Sequence, residues 1–543
     1  MSTTQKPSVA YFCMEYGLET ALKIYCGGLG ILAGDTLKSA KDNNLPLVGI
    51  GLKWKQGYTE QRIGADGKPY DAYHNFQYPE LKDTGVKVNV KIRQNDVWCK
   101  VWLCDSYNNA PLYLLDTDIP ENGDKWITGQ LYGWFGEERV AQEIVLGVGG
   151  VRALQALGHH VDVYHFNEGH AALAGLELIR QKMTQGQSFD QAWQQTRQQI
   201  VFTTHTPIKE GNEHHAHELL QYMGATLGLS IEQMHRIGST PFNMTIAGLR
   251  LSRNANAVAQ LHAETAKAMW ADASGRSSII GITNGIHVPT WVDERMRRDF
   301  SSNEALWTAH QEVKKDTIEF IRQRTGVQLK NDSLLIGFSR RAAPYKRSNL
   351  IFAYENKLGE LLSSGRVQIV FSGKAHPLDD TGKAIVHNIV QMSKRYPNSV
   401  VFLENYDMDI GRALTRGCDV WLNNPRRPLE ACGTSGMKAA MNGVLNVSIL
   451  DGWWPEACKN GVNGWAIGDE QIPPNAAAQD ERDALALYKT LVDEVIPTYY
   501  NDRPRWLKMM KASIESCTQP FSADRMINEY YANLYTAPAN IIG

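Results

Sequence analysis

Short runs of apolar and β-branched residues recur along the chain, separated by longer segments whose apolar positions return every three to four residues. Residues 162–166 (Asp-Val-Tyr-His-Phe) and 200–204 read as buried strands. The later half repeats the pattern at 334–338, Val367–Ser372, Val400–Leu403, 419–422 and 445–450, with helical periodicity at 168–181, 349–362, 382–396, 409–416 and 435–442 between strands. Unbroken apolar strands alternating with helices predict α/β layers, a parallel sheet covered on both faces. Ligands gather at the carboxyl ends of such strands. Five polar clusters fall there: Asn167-Glu168-Gly169-His170, His205-Thr206-Pro207, Ser339-Arg340-Arg341, Gly373-Lys374 and Asn423-Asn424. The pattern predicts one α/β domain over 1–310 and a second over 311–505. Helical residues 506–543 are expected to pack back on the first domain.

At 543 residues the chain exceeds one compact core, consistent with that division. Hydrophobic residues at 43% and charged residues at 21% exclude a disordered, collagen-like or coiled-coil chain. A net charge of −2 gives no global field for nucleic acid or an anionic membrane, and no apolar stretch reaches spanning length. The start, Met-Ser-Thr-Thr-Gln-Lys-Pro, leads into Val9 without a signal-peptide core. Eight scattered cysteines make no CxxC pair, and no His/Cys group has zinc spacing, so no metal is expected and a reduced cytoplasmic location is. The 14 Trp and 22 Tyr are expected mainly in the core.

Three segments hold candidate chemistry. In Cys26-Gly27-Gly28-Leu29-Gly30, adjacent glycines free backbone N–H groups to approach an oxyanion at a helix start. It lacks the GxxxxGK[ST] of a nucleotide-binding P-loop. Ser339-Arg340-Arg341-Ala342-Ala343-Pro344-Tyr345-Lys346-Arg347 puts four cations at a strand's end, where Arg forks and a mobile Lys suit phosphate. Asn423 to Lys438 leaves a strand and enters a helix at Gly433-Thr434-Ser435-Gly436, with Thr434 or Ser435 as expected N-cap. Lys438 is expected in the helix's first turn. There the macrodipole slightly depresses an amine pKa, which suits reaction with an aldehyde. His205, two residues before Pro207, is expected in an extended or turn conformation. No G-x-S-x-G elbow supports Ser/His/Asp hydrolysis.

Together these segments resemble the α-glucan (glycogen, starch or maltodextrin) phosphorylase family, over about residues 9–470. The resemblance is carried by Gly27-Gly28-Leu29-Gly30, Asn167-Glu168-Gly169-His170, Thr203-Thr204-His205-Thr206-Pro207, Thr283-Asn284-Gly285-Ile286, Arg340-Arg341 with Tyr345-Lys346-Arg347, Phe402-Leu403-Glu404-Asn405-Tyr406, and Glu430 through Lys438. It implies two Rossmann-like domains of the glycosyltransferase-B type with the site in the interdomain cleft. It also implies pyridoxal 5′-phosphate as a Schiff base on Lys438, with Gly28, Thr434, Ser435 and Gly436 beside the cofactor. By the same resemblance Arg340, Arg341 and Lys346 hold the substrate and cofactor phosphates, while Gly27, His205, Asn284, Glu430 and Gly433 bind the glucosyl unit. Animal members carry His-Glu in place of Ala343-Pro344 and Gly-Asn in place of Ser435-Gly436. The pattern begins near Tyr11, so a phosphorylation-controlled N-terminal arm is not expected, and the chain resembles the short prokaryotic-type branch.

The implied reaction is reversible phosphorolysis of terminal α-1,4-glucosyl units to α-D-glucose 1-phosphate with retained configuration. The partners implied are inorganic phosphate, glucan and a homo-oligomer. Two phosphates side by side, about 5 Å apart at an effective dielectric of about 20 and with about −1.5 charge each, repel by roughly 7 kcal/mol. The Arg340, Arg341 and Lys346 cations offset that repulsion, whereas a two-carboxylate glycosidase needs no such cluster. Two rivals share much of this pattern: a nucleotide-sugar glucosyltransferase of glycogen-synthase type, and a non-catalytic glucan-binding regulatory protein. Lys438 within Gly-Thr-Ser-Gly-Met-Lys separates the family from the first, and the intact basic set argues against the second.

Overall fold

A computed structural model describes residues 5–543; part of the N-terminal leader reading falls on residues 1–4, outside the described residues. The chain divides into two compact units. One holds the residues up to Thr59, Tyr73–Thr283 and Ala523–Gly543; the other holds Glu60–Ala72 and Asn284–Ser522.

The first unit is built on a nine-stranded sheet. Its order is Ile279–Gly281, Asn254–Ala257, Ile200–Thr203, Val163–Asn167, Val9–Phe12, Leu47–Leu52, Leu112–Asp116, Asn95–Cys104 and Lys82–Ile92. The first seven are parallel and the last two extend the edge antiparallel. Val9–Phe12, Val163–Asn167 and Ile200–Thr203 are buried at every position. That is why the sequence shows continuous apolar runs there and no alternation. Growth of the sheet reverses direction between Val9–Phe12 and Val163–Asn167.

The second unit has six parallel strands in the order Val400–Leu403, Val367–Ser372, Leu334–Ser339, Val420–Asn423, Leu445–Ile449 and Gly464–Ile467. Numbered along the chain this is 3-2-1-4-5-6, the doubly wound order, with its switch point between Leu334–Ser339 and Val420–Asn423. Helix Met408–Gly417 is capped by Asp407, which accepts the Ile410 N–H at 2.9 Å, and Ser302 caps helix Asn303–Thr325.

Three segments fall elsewhere than the chain pattern predicted. The passage to the second unit comes after Thr283, earlier than residue 310. Helix Asn303–Thr325 packs on Met408–Gly417, where Thr317 donates to the Ala413 carbonyl at 2.9 Å, and Lys314 and His310 close on buried Asp419 at 2.6 and 2.8 Å. Residues 506–522 stay with the second unit, because helix Arg503–Cys517 lies on helix Thr434–Met441 and Ser513 donates to the Ala440 carbonyl at 3.0 Å. Only Ala523–Gly543 joins the first unit, where His165 Nδ1 meets the Tyr535 hydroxyl at 2.7 Å. The third segment is a hairpin of Glu60–Ile63 and Pro69–Ala72 that belongs to the second unit. Gln61 exchanges two 2.9 Å hydrogen bonds with the Ala375 backbone, and Asp71 pairs with Lys383 at 2.6 Å.

Seven of the fourteen tryptophans are fully buried. All eight cysteines are free. Among the described residues no helix is long and apolar enough to cross a membrane.

Candidate functional site

Strand Leu334–Ser339 ends at the switch point of the second unit's sheet, and its continuation delivers the basic segment there. Arg340, whose side chain is 6% exposed, donates to Glu430 Oε2 at 2.6 Å and also to Asn423 Oδ1 at the end of the neighbouring strand. Lys346 follows in a turn of 3₁₀ helix, Pro344–Lys346, and its ammonium lies 2.9 and 3.3 Å from the two Glu430 oxygens. Burial alone raises a carboxyl's pKa; Arg340 and Lys346, with Arg341 acting at longer range, overcome it and hold Glu430 below its ordinary value. Arg341 is exposed.

The fourth cation has a different task. Arg347 is buried, donates to the Asn424 and Pro425 carbonyls, and pairs with Asp480 at 2.9 Å and Asp483 at 2.8 Å. It pins the loop that carries Glu430. The Glu430 backbone N–H donates to Asp451 Oδ2 at 3.0 Å, and Gly452 N–H donates to Oδ1 at 2.8 Å. Burial pushes the Asp451 carboxyl up to about 7, with the N–H bonds opposing and the Glu430 charge adding. Asp451 did not stand out in the sequence as a site residue, whereas Asn423 belongs to one of the polar clusters expected at the carboxyl ends of the strands.

Helix Thr434–Met441 begins beside this cluster. Its N-cap is Gly433, at φ +84°, with no side-chain cap; neither Thr434 nor Ser435 caps, and Ser435 Oγ instead accepts from Trp421 at 3.2 Å. A Cβ on Gly433 would stand 3.7 Å from Arg340 Nη1, so the uncapped helix start lies next to the cations. Gly436 is required by packing, since a Cβ there would meet Asn446 Oδ1 and Trp453 Nε1 at 2.7 Å. Lys438 is the fifth residue of the helix, in the second turn and beyond the first where it was expected, so the macrodipole argument weakens. It is 5% exposed, with its ammonium 3.7 Å from the centre of the Trp291 ring. A buried amine on a helix whose uncapped start faces Arg340 and Lys346 is a donor set that fits an aldehyde bearing a phosphate ester. Asn284, at the start of the second unit, is buried.

In the first unit the glycine segment already holds an anion from its own chain. Glu15, just past strand Val9–Phe12, accepts the N–H groups of Cys26, Gly27 and Gly30 at 3.3, 3.0 and 2.8 Å. Gly27 N–H is therefore engaged by a side chain, which the sequence reading missed. Burial raises the Glu15 pKa against those bonds. A Cβ on Gly30 would lie 2.5 Å from Glu15 Oε1, whereas Gly27 and Gly28 face open space.

His205 follows strand Ile200–Thr203 and meets Asn167, from the adjoining strand, through Nε2. Its backbone N–H donates to Glu168 Oε2 at 2.8 Å, and the Thr206 hydroxyl donates there at 3.1 Å. Asn167 directs its amide N–H₂ to Cys13 Sγ, so its carbonyl oxygen faces His205 and assigns the imidazole proton to Nε2. Burial, aided by His262 and His165, lowers the imidazole to about 3, so the ring is neutral near pH 7.

The carbohydrate phosphorylase family model matches residues 293–459. Maltodextrin phosphorylase of Thermococcus litoralis is 40% identical, the match covering 98% of this chain and 71% of the relative. Glycogen phosphorylase of Aquifex aeolicus is 36% identical over 98% of this chain and 87% of the relative. Glycogen phosphorylase of Mycobacterium tuberculosis is 36% identical over 98% and 71%.

Proposed function

Because the chain belongs to the carbohydrate phosphorylase family, we propose that it phosphorolyses terminal α-1,4-glucosyl units of glycogen, starch or maltodextrin reversibly, giving α-D-glucose 1-phosphate with retained configuration. The fold is read as the glycosyltransferase-B type. The observation that carries this reading is the Arg340–Glu430–Lys346 cluster, at a sheet switch point and beside the start of the helix bearing buried Lys438.

Three cations, Arg340, Arg341 and Lys346, stand against the Glu430 carboxylate, leaving two positive charges for an inorganic phosphate dianion. Arg340 offers a planar fork and Lys346 a point charge that follows the anion. Lys438 would hold pyridoxal 5′-phosphate, with the Thr434–Gly436 turn beside it. When bound, that group supplies a second phosphate, whose pKa near 6 suits general acid–base work. Gly433, Asn284 and Glu430 are assigned to the glucosyl hydroxyls, and Gly27, whose N–H is taken by Glu15, is not. His205, as a neutral imidazole, hydrogen-bonds there without adding charge. Asp451 fixes the Glu430 backbone, and so the carboxylate's position between the cations.

The test is phosphorus NMR of cofactor-loaded protein with maltodextrin and phosphate, in which the α-anomer of glucose 1-phosphate is expected. Accumulation of the β-anomer, or of free glucose without phosphate consumption, overturns the reading.

A further inference from the structure

Next to Glu168 and His205, the first unit buries a second polar cluster with mixed nitrogen and oxygen donors. Glu143 lies on helix Glu137–Ile144, and Glu213 and His215 lie at the short strand His214–His215. One ligand atom from each lies within 4.8 Å of the others. His215 Nε2 is 3.0 Å from Glu143 Oε2 and 3.6 Å from Glu213 Oε1, and His170 Nε2 is 3.7 Å from Glu213 Oε2. A cation about 2.1 Å from His215 Nε2 and from one oxygen of each carboxylate would see the two pairs that share His215 at angles of roughly 90° and 120°, which suits a zinc centre with a further position open. Glu143 is fully buried, and its Oε1 has no hydrogen-bond partner. Arg139, 3.4 Å from Glu213, provides one positive charge for two carboxylates. A buried carboxylate without its own counter-charge is costly, so one more positive charge belongs in the cluster.

We propose that Glu143, Glu213 and His215 bind one Zn²⁺-type divalent cation, with His170 positioned as a neighbour able to join them. The ion would tie helix Glu137–Ile144 to the segment running on from His205. It is a bracing site for that segment and takes no part in bond cleavage. The sequence, where no CxxC pair and no His/Cys group at zinc spacing led to no metal being expected, does not bear on it, because Glu143 and Glu213 are brought together only by the fold.

The test uses the intact protein, stripped with EDTA and titrated with Zn²⁺ against a chromogenic competitor, with elemental analysis after gel filtration. About one zinc per chain is expected, together with a Tm that rises with free zinc. Glu143→Gln and His215→Gln, their folding checked by circular dichroism, are each expected to bind zinc about 100-fold more weakly or worse. Failure of the stripped wild-type protein to take up stoichiometric zinc overturns the proposal and leaves a proton shared between Glu143 and Glu213 as the missing charge. Wild-type zinc affinity in both variants overturns it equally, by placing the ion elsewhere.

Discussion

Replacing Lys346 with alanine separates a phosphate site from a merely structural ion cluster. The lost ammonium lies 2.9 and 3.3 Å from the Glu430 oxygens, and Arg340 remains at 2.6 Å. Breaking a buried pair costs about 3–5 kcal/mol when the survivor is left unpaired, and with Arg340 in place the lower figure applies. For a unit of this size that corresponds to a fall in Tm of about 6–12 °C. The site's charge also drops by one, and a lost charge-assisted contact of about 3 kcal/mol converts to roughly 150-fold in the KM for phosphate. Initial rates of glucose 1-phosphate formation against phosphate concentration, at saturating maltodextrin and well below the lowered Tm, measure this directly. Lys346→Arg, which restores the charge, is expected to recover most of the loss. A Lys346→Ala protein whose Tm falls while its KM for phosphate stays within about threefold refutes the reasoning, since the cluster would then hold the loop and nothing else.

Lys438→Ala is expected to lose both phosphorolysis and the near-ultraviolet absorbance of bound pyridoxal phosphate; activity persisting in the cofactor-free variant would count against the assignment. Asp451, its carboxyl raised to about 7 in the fold against an ordinary value near 4, favours the protonated native state. Native stability from this group therefore declines as pH rises from about 4 to about 7. Asp451→Asn should gain on the wild type over that range in pH-dependent melting, and a pH-independent difference would show the carboxyl to be ordinary. Gly30→Ala should melt lower because its Cβ meets Glu15 at 2.5 Å, while Gly28→Ala, facing open space, keeps its Tm. Equal Tm losses in the two would contradict this contrast.

The strand positions were legible because each apolar run is buried on both faces: Val367–Ser372 and Val400–Leu403 match residue for residue, and Leu334–Ser339 differs at one end. The basic segment was legible too, since a cluster following a buried strand has to emerge at the sheet's carboxyl edge. What the chain pattern could not reveal was how those charges are divided. Arg347 and Lys346 are adjacent, yet one is locked by Asp480 and Asp483, more than a hundred positions away, and the other meets Glu430. The Glu15 cradle was hidden because a lone acid after a strand gains its N–H partners only when the glycine turn 11–15 positions later folds back onto it. The hairpin Glu60–Ala72 is mostly polar, and its burial comes from Gln61 matching the Ala375 backbone, a pairing with no local periodicity.

The two units are interleaved in the order of synthesis. A piece of the early chain, Glu60–Ala72, is lent to the later unit, and the last twenty-one residues are returned to the earlier one. A single protease nick near residue 284 would therefore yield neither unit whole, as each fragment would carry away part of its counterpart. A ribosome likewise completes the first unit only after it has made the second. Attempts to express either unit alone should thus begin from circular permutants or spliced segments, because any contiguous truncation leaves a strand or a terminal helix without its seat.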